Sequence, residues 1–159
     1  MPTDKNKNYD HQFTKIYKKV KANKNLNDLQ KLILSEIISF QMAGRYFYMT
    51  NKQLSYEFGC SEKRIQTAIT KLNPLLNKGY TYPKRPEGGR PKRNRLLFVE
   101  NLFNYIPIEI LMEINVDVKR FKDLEHFLVW AQCTFVLDEV IREYVKSKPY
   151  IEKHFGKIF

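Results

Sequence analysis

The stretch from Thr50 to Leu72 constrains the fold of this chain most. Thr50 and Ser61 each place a hydroxyl where it can cap a helix, and each opens a segment with helical apolar spacing. Leu54 and Phe58 mark the first segment, Asn51 to about Phe58. Ile65, Ala68, Ile69 and Leu72 mark the second, Glu62 to about Leu72. Between them stands Gly59, which takes a positive φ at little steric cost, as a tight turn requires. Cys60 is small and apolar and is expected to pack beneath that turn, and Ala68 lets the two helices approach closely. Two short helices joined in this way predict a helix-turn-helix.

The second helix leaves Glu62, Lys63, Arg64, Gln66, Thr67, Thr70 and Lys71 on its polar side. In a major groove, Arg can bond guanine and Gln adenine through paired hydrogen bonds, and Thr offers a hydroxyl or a methyl group. Lys63 and Lys71 suit phosphates, which add affinity without base information. The expected contact set on this motif is Thr50, Ser61, Lys63, Arg64, Gln66, Thr67, Thr70 and Lys71. The competing reading of any one of them is a solvated surface side chain, and the motif itself can also be purely structural.

The flanks supply further elements. Asn27 or Asp28 can cap a helix to about Gln41, apolar at Leu29, Leu32, Ile33, Ile37 and Phe40, and Gly44 ends it. Residues 46–49 suggest a brief strand. Tyr80-Thr81-Tyr82 and Leu96–Val99 suggest two more, joined by the Pro/Gly/Arg-rich loop 83–95, so a hairpin is expected. The loop holds Lys84, Arg85, Arg90, Lys92, Arg93 and Arg95 against one acid, Glu87. A narrow minor groove concentrates negative potential and draws in arginine, so Arg90 is expected to enter one beside the major-groove site. The alternative is a basic loop that touches phosphates only.

Residues 13–99 resemble the winged helix-turn-helix domains of phage and plasmid replication-initiation proteins and regulators from low-GC Gram-positive bacteria. The resemblance rests on Phe13-Thr14-Lys15-Ile16, the helix Leu29–Gln41, Leu54, Phe58-Gly59-Cys60-Ser61 and Ile65 through Leu72. It implies that helix 62–72 reads DNA and that the hairpin is the wing. Ser55 departs from the pattern, which usually has Ala there, and the hairpin loop differs in length. Gly89-Arg90-Pro91-Lys92-Arg93 is similar to the core of an AT-hook, which implies A·T-rich sites, although Gly88 stands where that motif has Arg.

Charge divides the chain in the same way. Residues 1–99 carry 20 Lys/Arg against 7 Asp/Glu, and residues 100–159 carry 8 against 10, within a net charge of +11. A basic part followed by a near-neutral one predicts a nucleic-acid face and a separate packing or partner face. A lysine-rich surface that reflects genome composition is the other explanation. The expected fold is mainly α with a small β-hairpin: a disordered basic tail over 1–12, the winged helix-turn-helix over 13–99, and a helical extension over 100–159. In the extension, Pro107 can start a short helix through Met112, and Asp123 opens one long helix to about Lys146. Its apolar surface is wider than one stripe. That width predicts a homodimer through Phe127, Trp130, Phe135, Leu137 and Ile141, or another protein partner. The alternative is an intramolecular core helix.

Catalytic signals are missing, and no enzyme activity, cofactor or metal is expected. Cys60 and Cys133 form no disulfide framework or zinc pair, and His11, His126 and His154 form no metal-binding pair. His126 and Cys133, seven residues apart, could share a helix face. Glu109, Glu113 and Asp117, spaced by four, read as a solvated helix face. No serine has nucleophile-elbow context, and Gly88-Gly89 lacks the ending of a phosphate-binding loop. Residues 1–24 are polar and lysine-rich, and the longest apolar-rich stretch, Phe127 to Leu137, is shorter than the roughly 20 residues of a membrane span, so a soluble cytoplasmic protein is expected. Three functions remain open: a sequence-specific regulator of transcription, a replication-initiation or partition factor, and a protein–protein adaptor.

Overall fold

Four of the five longer helices begin on a side chain that satisfies the open N–H groups of their first turn. The computed structural model describes residues 15–45, 47–81, 94–114 and 116–158. The tail, Phe13-Thr14, Tyr46, Tyr82 and loop residues 83–93 lie outside them. After a single-turn helix α1 (Lys18–Lys21) comes α2 (Asp28–Met42), then α3 (Asn51–Phe58) and α4 (Glu62–Leu72). Asn27 caps α2 in a reciprocal box with Gln30, at 2.9 and 3.0 Å, and Thr50 caps α3 in the same way with Gln53, at 3.1 and 2.9 Å.

A 3₁₀ turn (Asn73–Leu75) closes α4 and leads into β1 (Leu76–Thr81), which pairs antiparallel with β2 (Asn94–Val99) from Leu76↔Val99 to Thr81↔Asn94. The first strand therefore starts four residues before the aromatic run that predicted it. Val99 and Leu97 also bond outward from β2. Leu97 N–H donates to Phe47 O at 3.2 Å, in an isolated bridge, so the described residues 47–49 contribute one bridge rather than a strand. The result is a mostly helical chain with a two-stranded hairpin, a fold that fits a winged helix.

Helix α2 is the spine. Ile33, Leu34, Ile37 and Ile38 are fully buried, and its neighbours include α1, α4 and β2. The extension adds α5 (Ile108–Met112), α6 (Leu124–Thr134), α7 (Asp138–Ser147) and α8 (Pro149–Phe155). Its buried residues join the same hydrophobic core as those of α2 and α4. One buried amide stitches the parts together. Gln41 Oε1 accepts from Val99 N–H at 2.9 Å, and Gln41 Nε2 donates to Val99 O at 2.8 Å and reaches Cys133 O and Thr134 Oγ1 at 3.3 Å. Trp130 Nε1 donates to Gln41 O at 3.0 Å.

Two expectations about the extension are corrected, the single long helix and the shared acidic helix face. The single long helix from Asp123 is two helices, broken at residues 135–137. Phe135 is extended (φ −118°, ψ 104°), and Asp138 and Glu139 favour a fresh N-terminus. The break turns the Phe135 ring inward to within 4.8 Å of Tyr144 and 5.9 Å of Trp130. Folding back in this way covers the wide apolar surface from within the chain. Of the residues expected at a dimer interface, Phe127, Trp130, Phe135 and Ile141 are therefore at most 3% exposed, and Leu137 alone is open, at 54%. Glu109, Glu113 and Asp117 are solvated as expected, but they do not share a helix: Glu109 lies in α5, Glu113 ends it, and Asp117 caps a later 3₁₀ turn.

Candidate nucleic-acid interface

The turn between α3 and α4 is braced from both sides. Gly59 takes φ +64°, Cys60 N–H donates to Ser55 O at 3.1 Å, and the Ser55 hydroxyl donates to Cys60 O. Ser55 thus has a use that alanine lacks, since it satisfies a carbonyl of the turn. Cys60 is half-buried and packs against the core. Ser61 Oγ accepts from Arg64 N–H at 3.2 Å and starts α4.

Helix α4 is sharply two-sided. Ile65, Ala68, Ile69 and Leu72 are at most 3% exposed, while Glu62, Lys63, Arg64, Gln66, Thr67, Thr70 and Lys71 are all exposed. Every candidate on this helix therefore lies on one open face. Thr70 Oγ1 donates to Gln66 O at 2.8 Å, so its hydroxyl can serve an outside group only as an acceptor. Thr50 and Ser61 are exposed too, but their oxygens already accept cap bonds, and their first role is to fix the ends of α3 and α4. Between the N-terminal ends of α2 and α4 lies an open cleft of about 290 Å³, bordered by Asn27, Gln30, Ser61, Lys63, Arg64 and Thr67. Two positive helix ends and two cations there favour an anion such as a backbone phosphate.

The wing candidates divide. Lys84, Arg85, Arg90, Lys92 and Arg93 lie outside the described residues. Arg95 is described, and its geometry points inward. Its Nη1 donates to Asn51 Oδ1 at 2.9 Å and its Nη2 to Met49 O at 3.0 Å. It ties β2 to the start of α3 and acts as a positioning residue for both.

Sequence reasoning overlooked the first helix of the motif as a surface. Tyr56 is 92% exposed, and Lys52 and Gln53 are exposed beside it. The signal was present: Lys52 and Tyr56 are four apart on the polar side of α3. In helix-turn-helix complexes the first helix crosses the backbone, where such side chains meet phosphates.

Among the described residues, no group of three or more His, Cys, Asp or Glu could hold a metal ion. His126 and Cys133 both lie on α6, but His126 Nδ1 accepts from Lys122 N–H at 3.1 Å, and burial pushes the Cys133 thiol above its ordinary range. No described helix is long and apolar enough to cross a membrane. No curated protein and no solved structure matched the chain. Residues 24–73, from the approach to α2 through the end of α4, match a helix-turn-helix domain family, and that match supports binding to double-stranded DNA.

Proposed function

We propose that this chain is a sequence-specific DNA-binding protein that regulates transcription, with helix 62–72 in the major groove and the basic segment 83–95 in the adjacent minor groove. One observation carries this reading. Arg64, Gln66 and Thr67 stand exposed on α4 while Ile65, Ala68, Ile69 and Leu72 anchor its other side in the core. Arg64 and Gln66 are the base readers, and Lys63, Lys71 and the first-helix residues Lys52 and Tyr56 hold phosphates. Arg90 takes the minor groove, with a preference for A·T-rich sites.

Selection of bound fragments from a random duplex library tests the reading, followed by affinities at several salt concentrations. Lys71→Ala should weaken all sequences evenly and reduce the slope of log affinity against log salt by roughly 0.9. Arg64→Ala or Gln66→Ala should relax base preference by roughly 1–3 kcal/mol at one position. Equal effects from both kinds of substitution would refute the assignment of readers. Footprints over promoters support a regulator, and protection of origin repeats would replace it with an initiator. Association as a homodimer belongs to the same proposal and suits palindromic half-sites. Its surface would have to include exposed side chains such as Leu137 and Val136, and a strict monomer in sedimentation would remove it.

A further inference from the structure

A second cleft, of about 380 Å³, shares no lining residue with the α4 face and lies where the end of α2 meets the segment leading into α6. Phe40, Gly44, Arg45, Tyr48, Arg120 and His126 line it. Among the described residues the lining holds two guanidinium groups, an imidazole and two aromatic rings, and no carboxylate. The Arg45 guanidinium sits 5.9 Å from the centre of the Phe40 ring. Its Nε is buried and has no hydrogen-bond partner among the described residues. Arg120 is held only loosely, its Nε 3.7 Å from Asp117 with both side chains largely in solvent.

The cleft is a built feature of the fold. Gly44 adopts φ +74°, and a Cβ there would come within 2.5 Å of Val116 Cγ1 and 3.2 Å of Phe121 Cζ. Only glycine lets that segment come so close, and the approach brings Arg120 and His126 over the same hollow as Arg45.

We propose that this cleft binds a small anion carrying a planar ring. The anionic group lies between Arg45 and Arg120, and the ring packs against Phe40 and Tyr48. The volume falls within the range of small-molecule sites. A nucleoside monophosphate and an aromatic carboxylate share this chemistry. Residues 47–50 lead from the cleft, which Tyr48 lines, to the cap of α3. Phe47 O holds Leu97 N–H of β2, and Met49 O holds Arg95. A ligand on Arg45 and Tyr48 therefore bears on the segment that positions both the hairpin and α3. Binding rests on the cleft alone; its effect on DNA rests on the proposed function.

Isothermal titration of the full chain without DNA tests it, with adenosine 5′-monophosphate, benzoate and inorganic phosphate as probes. At least one ring-bearing probe should bind saturably, one per chain, and more tightly than phosphate. Adenosine monophosphate alone identifies a nucleotide site, and benzoate alone a carboxylate site. Arg120→Gln, at an exposed side chain, should weaken binding about tenfold, the worth of one charge-assisted hydrogen bond, and Arg45→Gln at least as much if it folds. Lys146→Ala, at an exposed lysine of α7 outside both clefts, should leave binding unchanged. No saturable binding at millimolar probe, binding indifferent to Arg120→Gln, or binding lost with Lys146→Ala would each overturn the site. If the probe binds as expected but DNA affinity does not change with it, the site stands and the coupling falls.

Discussion

Replacing Gln41 with leucine should loosen the hairpin from the helical core. The side chains are similar in size, so the change is mainly one of hydrogen bonding. In the native fold the Gln41 amide meets both the N–H and the C=O of Val99, at 2.9 and 2.8 Å, on the edge of β2 that faces α2. It thereby continues the pairing that Phe47 O provides to Leu97. Gln41→Leu leaves two buried backbone groups without partners, at about 1–3 kcal/mol each. Leucine recovers about 1–2 kcal/mol through added apolar burial. The net loss should be about 3 kcal/mol. With a urea dependence of about 2 kcal/mol per molar, the midpoint should fall by about 1.5 M. The single tryptophan, Trp130, is buried and bonded to Gln41 O, so its fluorescence reports the transition directly. In hydrogen exchange the Val99 amide should lose protection and the Leu97 amide should keep it. Ser35→Ala is the control. Its hydroxyl is fully buried with no partner among the described residues, so its loss should change stability by less than about 1 kcal/mol or improve it. If Gln41→Leu stays within about 1 kcal/mol of the wild type, or loses no more than Ser35→Ala, the claim that this amide joins hairpin to core is refuted.

Three further outcomes are expected. Arg95→Lys keeps the charge but not the two-pronged contact with Asn51 and Met49, so it should cost about 1–2 kcal/mol in denaturant titrations and weaken DNA binding without reducing its salt slope. An unchanged stability would return Arg95 to the list of DNA contacts. Gly44→Ala should lose at least about 2 kcal/mol from positive φ and the collision with Val116, and adding Val116→Ala should restore part of it in a double-mutant cycle. Burial, and after it the neighbouring Tyr150, holds the Tyr144 hydroxyl well above the ordinary tyrosine range of 10.0. The unfolded chain releases that proton first, so this stability is full below about pH 10 and falls as pH rises above it. Tyr144→Phe should make the alkaline loss shallower, although not abolish it, because Tyr17 and Tyr105 are shifted in the same direction. An unaltered alkaline profile would count against the buried Tyr144 hydroxyl as its source.

Local chemistry made the helix-turn-helix legible. Capping by Asn27, Thr50 and Ser61, the break at Gly59, and the apolar spacing of Ile65, Ala68, Ile69 and Leu72 act over one to four residues, a range within which sequence neighbours are spatial neighbours. The two-sidedness of α4 follows from the same periodicity. Tyr56 and Lys52 are equally readable, since their spacing of four puts them on one face of α3.

Local pattern alone thus suffices for the motif and for the exposed side of α4. Everything else depends on which distant groups meet once the chain is packed. Gln41 finds Val99 at 58 residues' separation and Cys133 at 92. Arg95, read as one more basic loop residue, is drawn to Asn51 and Met49 across more than 40 positions. The break after Thr134 sends Phe127, Trp130, Phe135 and Ile141 into the chain's own core, although their apolar pattern is equally compatible with an interface. Periodicity says that a surface must be covered; only the packing of the whole chain says what covers it.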